Sequence, residues 1–134
     1  MIVLIAEDDR VYSQLLMRQL KSRGVDSTVA YDAMQAIMMA SRTVPAAILL
    51  DVNLPGGTGL EVLKRLKHSS KTCMIPIIVI SAMNDPNLPY TVKSLGADDF
   101  LAKPIEFEKL YSALRRLMDF EPSSGQERPA KNSR

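Results

Sequence analysis

Four short apolar stretches each hand over to a residue that can do chemistry. Ile2 to Ala6 runs into Glu7, Asp8 and Asp9. Ala46 to Leu50 ends on Asp51, Ile77 to Ile80 ends on Ser81, and Phe100 to Ala102 ends on Lys103. Taken alone, Asp51 reads as a turn or cap residue, Lys103 as half of a surface ion pair, and Ser81 as a strand-end hydroxyl. The repetition argues otherwise. As parallel strands of one sheet, the four stretches would bring these ends to a single edge, and in open α/β sheets ligands bind there. Two carboxylates about 4 Å apart repel by roughly 4 kcal/mol at an effective dielectric of about 20. Lys103 offsets one charge of the Glu7, Asp8 and Asp51 group, and a hard divalent cation offsets the rest. Mg2+ suits one or two carboxylates, a backbone carbonyl, waters and a phosphate oxygen. No nitrogen or sulfur ligand lies in reach by sequence, which argues against zinc. In that setting Asp51 can attack phosphorus to give an acyl phosphate. Such a transfer needs alignment and charge neutralisation more than covalent help, and Ser81 can hydrogen-bond a phosphoryl oxygen.

The elements that must position these groups follow from periodicity. After the first strand, Asp9 can cap a helix with Val11, Tyr12, Leu15, Leu16 and Leu20 on its inner face. Gly24 stops it as a C′ residue. Val25 to Tyr31 is polar in its middle, as an edge strand would be. Asp32 with Gln35 resembles a capping box. Ala33, Ala36, Ile37 and Ala40 line the second helix, and Met34, Met38 and Met39 broaden its apolar stripe for core or partner packing. Pro55, Gly56, Gly57 and Gly59 read as turn residues behind Asp51. Thr58 with Glu61 opens a third helix, from about Thr58 to Lys67, with Leu60, Leu63 and Leu66 inward and Lys64, Arg65 and Lys67 as a solvated face. Pro89 can be the first residue of a short fourth helix that ends at Gly96. A fifth strand, Asp99 to Ala102, precedes a fifth helix with Phe107, Leu110, Tyr111, Leu114, Leu117 and Met118 apolar. Strand and helix alternate five times, which predicts an α/β fold: a doubly wound parallel sheet with right-handed crossovers.

Composition narrows the class. The chain has 134 residues, 46% apolar and 24% charged, with a net charge of +2. That is one globular domain with a real core. No dense Lys/Arg block favours nucleic acid, no apolar run is long enough to span a membrane, and no secretory signal pattern opens the chain. Cys73 is the only cysteine, which fits a reducing cytoplasm. The expected division is a globular domain over 1–119 and a polar segment over 120–134, either a natural tail or a cut linker. From Glu121 onward it holds too little apolar surface to offset its ordering entropy.

The ordered set Ala6-Glu7-Asp8-Asp9, Asp51 with Pro55 and Gly59 behind it, Ser81-Ala82, and Phe100-Leu101-Ala102-Lys103-Pro104 resembles the receiver domain of two-component response regulators. The resemblance runs from Ile2 to about Met118. It implies a five-stranded flavodoxin-like sheet in the order 2-1-3-4-5 with five helices. It implies Asp51 as phosphoacceptor, Asp8 and Asp51 as direct Mg2+ ligands, Glu7 holding the ion through water, and the Asn53 backbone carbonyl as a third protein contact. Lys103 would pair with the phosphoryl group, Ser81 would turn toward it, and Phe100 would swing inward. Ala82 is small, as access to Asp51 requires, and Lys103-Pro104 is expected to be cis. Glu7 replaces the family's commoner Asp, and Phe100 lacks a hydroxyl, so that switch would rest on packing. Asn53 and Met83 flank the path of an attacking water. The changed surface would be helix four, strand five and helix five, with Tyr90, Lys93, Phe100 and Lys109. The partners implied are a histidine kinase or phosphotransfer protein and a downstream protein target. A second copy in a phosphorylation-dependent homodimer is a further partner the family admits. Neither nucleic acid nor membrane is expected to bind this domain.

Rival readings are weaker. An aspartate-nucleophile phosphatase would need a second Asp where Asn53 stands, to act as acid and base. A binding module indifferent to phosphorylation would not need every acceptor-site residue. A dinucleotide fold would follow its first strand with a glycine-rich loop, not three acids. Gly56-Gly57-Thr58-Gly59 lacks the lysine of a P-loop. His68, at a helix end, has no evident partner and is expected to face solvent. Cys73 is expected to be an ordinary reduced thiol.

Overall fold

The structure is a computed structural model, which describes residues 2–82 and 85–118. Met83 and the polar segment from Glu121 lie outside the described residues. In chain order the elements are β1 (Ile2–Ala6), α1 (Arg10–Ser22), β2 (Asp26–Ala30), α2 (Ala33–Thr43), β3 (Ala47–Asp51), α3 (Gly59–His68), β4 (Ile77–Ser81), α4 (Leu88–Ser94), β5 (Asp99–Ala102) and α5 (Phe107–Met118). All four strand pairings are parallel, in the order β2-β1-β3-β4-β5. This is the expected architecture, with the switch of direction between β1 and β3.

Each strand divides its side chains between two cores by its period of two. Leu4, Ala6, Ile48, Leu50, Ile77 and Val79 pack with α2, α3 and α4. Val3, Ile5, Ala47, Leu49, Ile78 and Ile80 pack with α1 and α5. β3 and β4 are buried along their whole length, as continuous aliphatic runs require. β2 is exposed or half-buried until Ala30, consistent with an edge. Among the described residues no helix is long and apolar enough to cross a membrane.

The helix ends carry the expected chemistry. Asp9 accepts from the amides of Val11 and Tyr12, both at 3.0 Å. Asp32 accepts from the Gln35 amide at 2.7 Å, while the Gln35 side chain accepts from Tyr31 at 2.8 Å, one residue beyond the usual reciprocal bond. Thr58 accepts from the Glu61 amide at 3.2 Å. α1 ends in a Schellman motif, with Gly24 at φ 83° and the Val25 amide donating to Leu20 at 2.9 Å.

Several expected faces are corrected. The buried residues of α1 are Ser13, Leu16 and Leu20, whereas Val11 is 81% exposed and Leu15 is exposed too. Ser13 can lie inward because its hydroxyl donates to the Arg10 carbonyl within the same helix. Met34 and Met38 face solvent, and only Met39 of the three methionines packs on the core. Val62 joins the buried face of α3, and Leu60 is only half-buried. Lys67 is no solvated residue. Its ammonium donates to the carbonyls of Cys73 and Ile75 and to Asp98, which also accepts from the Ile77 amide. This cluster binds α3 to the entry of β4, at the end of the sheet away from the strand C-termini. α4 begins one residue before Pro89 and stops at Ser94, with Gly96 serving as C′.

Candidate functional site

Strand register brings the expected residues to one edge. Ala6 pairs with Leu50, Asp51 with Ile80, and Ser81 with Ala102. Past the strand ends the backbone ladder continues. The Glu7 amide donates to Ala30 at 3.0 Å, the Val52 amide to Ile80 at 3.2 Å, and the Lys103 amide to Ser81 at 2.7 Å. Glu7, Asp51 and Lys103 are therefore fixed by the sheet itself, not by loops.

The segment behind Asp51 is packed as tightly as the strands. Leu54 is buried, and the Pro55 carbonyl accepts from the Ala33 amide at the start of α2. Gly59 is the first residue of α3, not a turn residue. Its amide donates to Val52 at 2.7 Å, and a Cβ there would sit 2.3 Å from the Asp51 carbonyl oxygen. The absence of a side chain lets α3 start directly against the end of β3. Gly56 and Gly57 make the turn itself, at φ 82° and 145°.

The charged centre is compact. Lys103 Nζ lies 2.6 Å from Glu7 Oε1 and 3.1 Å from Asp51 Oδ2. The second oxygen of Glu7 accepts from the Asp9 amide at 3.0 Å, and the second oxygen of Asp51 accepts from the Asn53 amide at 3.1 Å. Glu7 is 1% exposed and Asp51 3%. Burial pushes the Glu7 carboxyl up, an effect that the hydrogen bonds from Lys103 and Asp9 reduce but do not cancel. Burial acts to lower the Lys103 ammonium, yet its two carboxylate partners outweigh that and hold it above the usual lysine value.

Carboxylate oxygens of Glu7, Asp8 and Asp51 lie within 4.8 Å of one another. The donor set is all oxygen, the chemistry of a hard divalent cation such as Mg2+. Both oxygens of Glu7 already have partners, whereas Asp8 is exposed. Both oxygens of Asp51 have partners as well, so of the three carboxylates only Asp8 faces solvent, and all three could hold such an ion. Expectation and geometry agree that Asp8, Asp51 and Lys103 meet.

The sequence profile of the response regulator receiver domain matches residues 3–115. The chain belongs to that family. It is 32% identical over 129 residues to the response regulator MprA of Mycobacterium sp. strain KMS, covering 96% of this chain and 55% of the relative. It is 34% identical to MprA of Mycobacterium leprae, covering 87% and 50%. The chain spans about half the length of the curated relatives it matches. Among solved structures it is similar to a putative response regulator from Chloroflexus aurantiacus, with TM-score 0.83, 28% identity, and 89% and 98% coverage. It is also similar to the receiver domain of sensor histidine kinase PA1611 from Pseudomonas aeruginosa. That structure has a magnesium ion coordinated in its active site cleft; the TM-score is 0.81 at 28% identity, with 89% and 98% coverage.

In this receiver domain Ser81 is buried at the end of β4, and Ala82 is exposed beside it. Phe100 is half-buried and packs against the α2-α3-α4 core. Asn53 is exposed. The Lys103-Pro104 bond is cis, as the resemblance implied. His68 faces solvent but does have a partner: Nδ1 lies 2.7 Å from the Lys64 carbonyl, one turn back along α3. Cys73 is a free thiol.

One residue at the site was read only as core. Tyr12 packs its ring on the α1-α5 core, as helical periodicity predicts. Its hydroxyl, however, accepts from the Ile105 amide at 3.0 Å, and its ring centroid lies 4.9 Å from Lys103 Nζ. The available signal was position: Tyr12 sits in the first turn of the helix that leaves the acidic strand end.

Proposed function

We propose that this receiver domain is a phosphorylation-controlled switch with Asp51 as acceptor. The observation that carries the reading is the single ammonium of Lys103 bridging Asp51 and Glu7, beside Asp8, at the C-terminal edge of the sheet. A phosphohistidine of a histidine kinase or phosphotransfer protein is the donor. An Asp51 carboxylate oxygen forms a bond to phosphorus as the phosphorus–nitrogen bond breaks, and the leaving imidazole recovers its electron pair and takes a proton.

Asp8, Asp51 and the Asn53 carbonyl would hold Mg2+, with Glu7 supporting the ion from behind. When bound, the ion neutralises negative charge on the phosphoryl oxygens. Lys103 then pairs with the phosphoryl group in place of one carboxylate contact. Ser81 turns toward the same group, and Phe100 moves further into the core. The phosphoryl group adds a charge of about −1.5 to −2, and the face formed by α4, β5 and α5 carries the change outward. Tyr90, at 81% exposure, and Lys93 and Lys109, also exposed, lie on elements of that face. A downstream protein or a second copy of the chain would read it.

The domain assists its own phosphorylation and dephosphorylation and is not a turnover enzyme. Its place is the cytoplasm, and residues 1–119 are the receiver, with 120–134 a tail or linker. Incubation with acetyl phosphate and Mg2+ should yield acid-labile phosphate on the parent protein and none on Asp51→Ala. Retained label in that variant would overturn the acceptor assignment.

A further inference from the structure

We infer that Tyr12 is a positioning residue for Lys103, acting through both its ring and its hydroxyl; the inference rests on the proposed role of Lys103 at a phosphorylated Asp51. Lys103 is the last group to reach the site. It follows the edge strand β5 and must extend past the end of β4 to touch Asp51 and Glu7. Its backbone is tied on one side by the hydrogen bond its amide donates to the Ser81 carbonyl. On the other side the chain leaves the site through Pro104 and Ile105. There the Ile105 amide is held by the Tyr12 hydroxyl at 3.0 Å, a link between residues 93 apart in sequence. The Ile105 side chain itself is buried. The same tyrosine lays its ring 4.9 Å from the Lys103 ammonium, within range of cation–π attraction.

These two contacts do different things. The hydroxyl fixes where the backbone after Lys103 runs, and so limits the arc available to the lysine stem. The ring offers the ammonium a favourable face. An ammonium that has to exchange a carboxylate for a phosphoryl oxygen is thereby kept over the site during the exchange. A tyrosine serving only as core would show the ring packing without either polar contact. The polar contacts of Tyr12 are with Ile105 and Lys103, so its effect on the site passes through Lys103.

The test measures the position of Lys103 and the reaction separately. Reductive methylation, read by peptide mass spectrometry, reports how accessible each lysine amine is. Lys67 is the internal reference. Its side chain is 16% exposed against 23% for Lys103, and it sits in its own hydrogen-bonded cluster at the other end of the sheet. Tyr12→Leu removes both contacts and should raise Lys103 labelling relative to Lys67 about fivefold, with a matching loss in the Mg2+-saturated rate of phosphorylation by acetyl phosphate. Tyr12→Phe keeps the ring and should shift both readouts about twofold.

A parallel rise of Lys67 and Lys103 would mark a loosened fold and overturn the inference. Unchanged Lys103 labelling, or raised labelling with an unchanged rate, would overturn it as well. Should Tyr12→Leu fail to fold, Tyr12→Phe decides on the same criteria. Phosphate uptake by Asp51→Ala would defeat the acceptor assignment instead, and the labelling ratio would still decide whether Tyr12 holds Lys103.

Discussion

Glu7 is a carboxylate placed where a carboxylate is costly. It is almost fully buried, lies beside Asp51, and has one cation, Lys103, shared between them. Its pKa is raised above the ordinary 4.5, chiefly by burial. A group whose folded pKa exceeds its unfolded value contributes stability below the unfolded value, and that stability is lost as pH rises through the folded one. The metal-free protein should therefore lose the Glu7 contribution as pH climbs above about 4.5. Glu7→Gln keeps the shape and removes the charge. In EDTA its melting temperature should exceed the parent's by a margin that grows with pH over that window, while its stabilisation by Mg2+ should shrink. A margin independent of pH would show that burial of the Glu7 charge is not what destabilises the apo protein. The carboxylates themselves were legible in the sequence, because each follows an apolar strand. The division of labour was not. Glu7 became the buried partner of Lys103 and the Asp9 amide, while Asp8 is exposed.

Elements position the site through their first and last residues. α3 begins on Gly59 because any side chain there would meet the Asp51 carbonyl, so the helix start and the acceptor strand end are in backbone contact. Gly59→Ala should cost about 1–3 kcal/mol, as overpacking does, and should slow phosphorylation by displacing residues 51 and 52. Gly56→Ala meets open space and carries only the strain of its φ of 82°, about 1–2 kcal/mol for a left-handed residue. Urea unfolding of the two variants, with phosphorylation rates alongside, separates the cases: only Gly59→Ala should impair the rate. Equal rates in both would mean that the close approach is not needed to aim Asp51. In the sequence the three glycines behind Asp51 all looked like turn residues, since a close backbone approach leaves no local mark. Capping was better written. Asp9, Asp32 and Thr58 each accept from the amide their spacing predicts, because that bond is made within one turn. Helix faces were less so. Val11 and Leu15 look inward by periodicity but are exposed, and Met34 and Met38, which widen the stripe of α2, face solvent. Lys67 reads as solvated yet is recruited by two carbonyls of the loop that follows α3 and by Asp98, just before β5.

At the scale of the whole molecule, alternating apolar runs and amphipathic helices were enough to foretell a doubly wound parallel sheet, while its strand order came from the family resemblance. β3 and β4 are buried on both faces, and such strands have few other homes. The site follows from that topology: β1 and β3 are neighbours, and β4 and β5 continue on one side, so acids, hydroxyl and lysine share an edge. Contacts that need third parties, such as Tyr12 with Ile105, lay beyond local pattern. The central claim is that this edge directs a phosphoryl group to Asp51 and nowhere else. The direct measurement is to phosphorylate the protein with acetyl phosphate and Mg2+, reduce it with borohydride, and sequence the peptides by mass spectrometry. An aspartyl phosphate is thereby converted to homoserine at the acceptor. The account predicts homoserine at residue 51 alone. Homoserine at residue 8 or 9, or none despite incorporated phosphate, would contradict it.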